Sequence, residues 1–105
     1  MAHINNYNWA CNLPPGWQRL YVRMVYKAQK IEPAFTVTYC KEKYGTMCVY
    51  FHCPNRTYDR VNKIVMFYED MSAHRCSECG KTATVWTTGW IMPYCDKCIK
   101  KFDLN

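Results

Sequence analysis

The sequence predicts an α+β fold: a helix–β-hairpin–helix body followed by a terminal lobe organised by cysteines. Three observations lead there. Two stretches repeat apolar residues at helical spacing, the segment between them alternates at strand spacing, and the stretch from Cys76 to Cys98 opens and closes on Cys-x-x-Cys pairs. The 105 residues suit one small domain, here divided into an arm (1–13), a body (14–75) and a terminal lobe (76–105).

Residues 1–13 are Asn-rich and aperiodic and read as a flexible arm. Pro14-Pro15-Gly16 punctuates the chain, and proline suits a helix entrance because its missing N–H has no partner there. From Trp17 to Glu32, Trp17, Leu20, Tyr21, Met24, Val25, Ala28 and Ile31 form one apolar stripe, and Pro33 ends the helix. In 34–53, Phe35, Val37 and Tyr39 alternate with Thr36, Thr38 and Cys40. Beyond a turn at Gly45, Met47, Val49, Phe51 and Cys53 alternate with Cys48, Tyr50 and His52, giving a β-hairpin. Residues 58–74 return to helical spacing, with Thr57 or Asp59 as cap and Val61, Ile64, Val65, Tyr68 and Met71 on one face. Met66 falls opposite, either exposed or under a second element.

Eight cysteines in a short chain fit either a secreted disulfide scaffold or metal binding. The start "MAHINNYNWACN" lacks a basic and then apolar leader, so no signal peptide is expected. Metal binding in a reducing cytoplasm is the better reading. No apolar run approaches the length of a membrane span. Cys76-x2-Cys79 and Cys95-x2-Cys98 stand fifteen residues apart, the spacing of a zinc ribbon in which two knuckles supply four thiolates to one structural Zn2+. Four thiolates leave no open position for water or substrate, so the ion is expected to hold structure. Its binding energy, about 10–16 kcal/mol in finger peptides, exceeds the stability of a typical domain. Metal removal is therefore expected to unfold residues 76–98. His74 is a minor candidate as a replacement ligand. Cys40, Cys48 and His52 share one face on the alternation, with Cys53 on the other, so a second site is disfavoured against buried cysteine acting as a small hydrophobe.

The formal charge is +6, falling to about +4 with a zinc tetrathiolate. Arg19, Arg23, Lys27 and Lys30 line one helix face with no acid among them. They read either as a solvated face or as a patch for phosphates or an acidic partner. Arg75, Lys81, Lys97, Lys100 and Lys101 surround the ribbon, where offsetting thiolate charge is their expected role. Tyr7, Trp9, Tyr26, Tyr44 and Trp90 have no evident place in the core, and such residues anchor interfaces or stack on bases. The sequence shows no Gly-rich phosphate loop, nucleophile elbow or His-x-x-Glu motif, so no enzyme and no small-molecule substrate are expected.

"GWQRL", "CKEKYGTMCVYF", "YEDMSAHRCSECGK" and "GWIMPYCDKC", in that order, resemble a family of small phage and prophage proteins. These read Gly-Trp at the first helix, Lys-Glu-Lys-Phe-Gly in the hairpin, and Cys-x-x-Cys-Gly, Gly-Trp and a final Cys. The resemblance covers roughly residues 15–98 and implies zinc on Cys76, Cys79, Cys95 and Cys98. Cys98 stands where the family also uses His, a swap that preserves ligation. "TMCVYF" departs from the family's Gly-Leu-Arg-Phe and puts Cys48 in place of an Arg. The resemblance supplies a source, not an activity. The expected function is a non-enzymatic phage accessory protein in the host cytoplasm. It would bind and inhibit or modulate a host protein of the defence or gene-expression machinery through Tyr26, Tyr44 and Trp90 beside the basic residues. The alternative is a nucleic-acid-binding zinc-ribbon regulator using Arg19, Arg23, Lys27 and Lys30.

Overall fold

The computed structural model describes residues 5–101. A 3-10 segment, Asn6–Asn12, precedes a 3-10 turn, Pro15–Trp17, that feeds helix α1, Gln18–Ile31. Strands β1, Thr36–Lys43, and β2, Thr46–His52, form the antiparallel hairpin. Helix α2 is Asn55–Ser72; a short strand pair, β3 Val85–Trp86 and β4 Pro93–Tyr94, leads to helix α3, Asp96–Lys101. The arrangement is helix–hairpin–helix with a C-terminal ribbon, an α+β fold.

The α1 stripe forms as its periodicity demands. Trp17, Tyr21, Met24, Val25 and Ala28 are fully buried and meet Val61, Val65 and Tyr68 of α2. Phe35, Val37, Met47 and Val49 complete the core from the hairpin. Met66 projects away from it and is exposed. Helix α2 starts earlier than its polar residues suggest. Pro54 stands at the cap position with no side-chain cap, and Thr57 instead gives its hydroxyl to Glu32 Oε1 at 2.8 Å. Glu32 is thereby committed at both oxygens, since Oε2 accepts the Ala34 N–H at 3.0 Å. This carboxylate staples the end of α1 to the start of α2.

The hairpin departs from simple alternation. Val37 pairs with Phe51 but Tyr39 pairs with Tyr50, so Thr38 is an extra residue in a bulge. The bulge reverses facing beyond it: Cys40 is fully buried and Tyr39 exposed, against Trp9 edge-on at 5.7 Å between centroids. The Cys40–Cys48–His52 face predicted from alternation is therefore absent. Cys40 lies opposite Val49 on the core side, and Cys48 lies opposite Lys41.

The arm is also corrected. Over residues 5–13 it is docked, not flexible; residues 1–4 lie outside the described residues. Buried Asn6 donates from Nδ2 to the Phe35 carbonyl at 2.8 Å and to Gln29 Oε1 at 2.9 Å, and its Oδ1 accepts the Val37 N–H at 3.0 Å. Tyr7 and Trp9 pack against the core as half-buried residues. The outer edge of β2 is covered in the same way from α2. Ser72 Oγ accepts the Met47 N–H at 2.7 Å, and Glu69 Oε2 accepts the Val49 N–H at 2.8 Å. A two-stranded sheet is thus protected on both edges by side chains rather than by further strands.

The ribbon lobe is fixed to the body at the entrance of α1. The Gly16 N–H donates to the Ser77 carbonyl at 2.8 Å, and the Trp17 indole donates to the Arg75 carbonyl at 3.0 Å. Trp86 donates to the Ala73 carbonyl at 2.8 Å. At the opposite end of the ribbon Ile91 lies over Gly45 of the hairpin turn.

Candidate metal centre

The ligating atoms of Cys76, Cys79, Cys95 and Cys98 all lie within 4.8 Å of one another. A tetrahedron of about 2.3 Å zinc–sulfur bonds would put its sulfurs about 3.8 Å apart. The Cys79 and Cys95 sulfurs are separated by 3.6 Å, so the donor set fits such an ion in type, number and spacing. Local backbone explains why. Gly80 takes a φ of 82°, turning the chain sharply behind the first knuckle, and α3 carries Cys98 inward one turn after Cys95. Amides then point at sulfur: Glu78 N–H at Cys76 Sγ and Cys98 N–H at Cys95 Sγ, both at 3.4 Å. Cys76, Cys95 and Cys98 are buried, with Tyr94 packed on them, while Cys79 faces outward.

Cys76, Cys95 and Cys98 sit in electrostatically different surroundings. The Cys98 N–H, the largest influence on Cys95, lowers that thiol to about 6. Cys76 is also lowered: burial opposes ionisation, but hydrogen bonds from the Cys79, Cys95 and Glu78 backbone outweigh it. Burial and the neighbouring thiols push Cys98 up to about 12. Without metal the group therefore shares protons unevenly, and a divalent cation would discharge them all.

Among the described residues this is the one Cys/His/Asp/Glu group close enough to hold a metal. His74 is outside it and exposed, its ring edge-on to Trp86 at 6.3 Å between centroids. Cys40, Cys48, His52 and Cys53 do not converge. Cys11, also unassigned by sequence, is exposed and donates its S–H to the Asn8 carbonyl at 3.1 Å.

The remaining sequence candidates divide between two surfaces. Tyr44 and Trp90 line one recess where the hairpin turn meets the ribbon loop. Tyr26 is elsewhere, exposed on α1 beside Arg23 and Lys27, in a groove walled by Tyr7, Val22 and Tyr68. Arg19, Arg23, Lys27 and Lys30 are all exposed. Lys27 lies over the Tyr68 ring at 5.5 Å and Lys30 over Tyr26 at 5.1 Å. Arg75, expected only to offset thiolate charge, joins Arg19 and Arg23 in a separate cleft.

Fold and site define a small α+β domain whose C-terminal lobe is built around a cluster of four cysteines placed to hold a metal ion. No protein-family model, curated protein or solved structure matches the chain. Among the described residues no helix is long and apolar enough to cross a membrane.

Proposed function

We propose that the protein is a zinc-stabilised, non-catalytic module that docks on a partner protein through the face shared by the hairpin turn and the ribbon loop. The observation that carries this reading is Tyr44. It has a φ of 54° and Gly45 one of 81°, the positive-φ pair of a type I′ turn. Asn, Asp or Gly ordinarily fills the first of these positions, because a larger L-residue there costs about 1 kcal/mol or more. Tyr44 recovers little of that by packing, being 78% exposed. A residue that strains the turn without filling the core is one whose exposed ring has a use.

Trp90 supports the same reading. It comes 46 residues later, is 75% exposed, and lies beside Tyr44 because Ile91 packs on Gly45. Phe67 and Met66 of α2 flank Tyr44 across a neighbouring groove of about 670 Å³. Exposed aromatic clusters of this kind are typical interface anchors. Zinc acts here at a distance: by ordering the ribbon it holds Trp90 against the hairpin. A closed set of four thiolates supports a structural ion rather than a catalytic one. On the segmental resemblance to phage and prophage proteins, the partner is a host protein of the defence or gene-expression machinery, and docking inhibits or modulates it in the host cytoplasm.

The test uses Tyr44→Asn and Trp90→Ala. Tyr44→Asn relieves the turn and should raise stability by about 0.5–1 kcal/mol. Both variants should lose the same protein from nuclease-treated bacterial lysate that the zinc-loaded wild type retains through a moderate salt wash. A partner held equally by wild type and both variants would remove this face from the account.

A further inference from the structure

A second face carries a different chemistry and shares no lining residue with the first. Arg19 and Arg23 stand one turn apart on α1, and Arg75 comes from the segment between α2 and the first knuckle. The three side chains line one recessed cleft of about 370 Å³, floored by Gly16 and Gly80. No carboxylate lines it, and the ion pair among the described residues is Arg56–Glu32, elsewhere. Arg75 is half-buried and its side chain gives one hydrogen bond, from Nη1 to the Gly80 carbonyl at 3.4 Å. A guanidinium has five N–H donors, so most of its capacity is left over. At the floor the Gly16 and Gly80 backbones approach closely, and the Gly16 N–H bond to the Ser77 carbonyl ties them together.

Offsetting the metal cluster explains part of this charge, since Cys79 lines the cleft. It does not explain all of it. Four thiolates around a divalent ion carry a net charge of about −2, against three guanidiniums here. Lys27 and Lys30 then continue the positive row roughly 16 Å along α1 from Arg19. Beside the cleft, and sharing Arg23 with it, runs a groove of about 520 Å³ walled by Tyr7, Val22, Tyr26 and Tyr68.

We propose that these joined clefts bind single-stranded nucleic acid. Arg19, Arg23 and Arg75 hold backbone phosphate, and the tyrosine groove takes an adjacent unpaired base against Tyr26. Planar guanidiniums suit phosphate oxygens, and aromatic rings accept any base by stacking. A duplex keeps its bases internal and would leave the tyrosine groove unused.

The experiment titrates zinc-loaded protein with a fluorescent eight-nucleotide oligothymidine, its RNA counterpart and the same length of duplex, over a range of salt. Single strands should bind, with affinity falling steeply as salt rises. Arg19→Ala/Arg23→Ala should lower the slope of log affinity against log salt by about 1.4, near 0.7 for each lost phosphate contact. Tyr26→Ala should weaken binding roughly tenfold at every salt concentration without changing the slope. All three substitutions are at exposed positions, and zinc content and melting temperature check that the fold persists. Tyr44→Asn and Trp90→Ala should leave these titrations unchanged, so this proposal and the docking reading fail separately. Four results would overturn it: no binding at low salt, equal binding by the double arginine variant, duplex bound as tightly and indifferent to Tyr26→Ala, or thymidine monophosphate competing as well as the strand. Loss of zinc from the double variant with oligonucleotide affinity intact would show the arginines to be counter-charges only.

Discussion

Gly16→Ala is a change of one methyl group with a large expected effect. A Cβ at Gly16 would lie 2.1 Å from the Cys76 carbonyl oxygen, 2.7 Å from Gly80 N and 2.8 Å from Ser77 C. All three are backbone atoms of the first knuckle, so no side chain can swing aside. The knuckle must retreat from α1, and the Gly16 N–H bond to Ser77 lengthens or breaks. Overpacking costs about 1–3 kcal/mol and the hydrogen bond about 1 kcal/mol, together about 2–4 kcal/mol. At about 4 °C per kcal/mol, that lowers the melting temperature by about 10 °C. The four clustered cysteines are untouched, so metal content should match that of wild type while hydrogen exchange at Ser77 and Gly80 accelerates. The assay is thermal and urea unfolding of both zinc-loaded proteins. Elsewhere Gly→Ala commonly stabilises slightly by restricting the unfolded chain. A Gly16→Ala protein as stable as wild type would therefore refute the docking of ribbon on body.

Asn6→Ala should destabilise by about 2–4 kcal/mol in urea unfolding, because it strands the Val37 N–H and the Phe35 carbonyl in a buried edge. Glu32 is held below its ordinary carboxylate value, first by the Ala34 N–H and then by the Thr57 hydroxyl, against the opposing effect of burial and with help from Arg56. The unfolded chain thus takes up the proton first as pH falls. The contribution is complete above pH 4.5, the unperturbed value, and lost as pH drops through the lower folded value. Glu32→Gln should flatten stability against pH in that acid window. Burial, with Cys48 and Glu69 adding, pushes the Cys40 thiol up to about 12. Mass-mapped alkylation of the native protein at neutral pH should label exposed Cys11 readily and Cys40 only on unfolding.

Much of the body is readable from sequence because its determinants are local. The α1 stripe from Trp17 to Ile31 follows from periodicity alone, and the two knuckles follow from ligand spacing. What escapes is set by single residues acting over long separations. Thr38 inserts into β1 with no proline or glycine to announce the bulge, and that one residue reverses the facing of Tyr39 and Cys40. The arm looks loose because it lacks an apolar pattern; one buried amide at Asn6 docks it on β1. At the surface, Tyr26, Tyr44 and Trp90 are recognisable individually but Tyr39, Phe67 and Trp86 are not, and pairing Tyr44 with Trp90 requires the contact of Ile91 with Gly45. Its neighbours in sequence assign Arg75 to the thiolates, whereas the fold places it in one cleft with Arg19 and Arg23. The nearest available signal was Gly16 and Gly80, two glycines whose close approach brings the first knuckle onto α1.

The central claim is that Cys76, Cys79, Cys95 and Cys98 hold one zinc on which the ribbon, and with it the Trp90 surface, depends. Native mass spectrometry of the full chain, alone and during chelator titration with circular dichroism in parallel, tests it directly. One zinc per chain is expected, bound with all four thiols deprotonated. On removal, the near-ultraviolet contribution of Trp86 and Trp90 in the ribbon should be lost while that of Trp9 and Trp17 in the body and most helical signal from α1 and α2 persist, and Cys79→Ser or Cys95→Ser should weaken retention sharply. A chain that carries no metal, or that loses its zinc with the tryptophan signals unchanged, would contradict it.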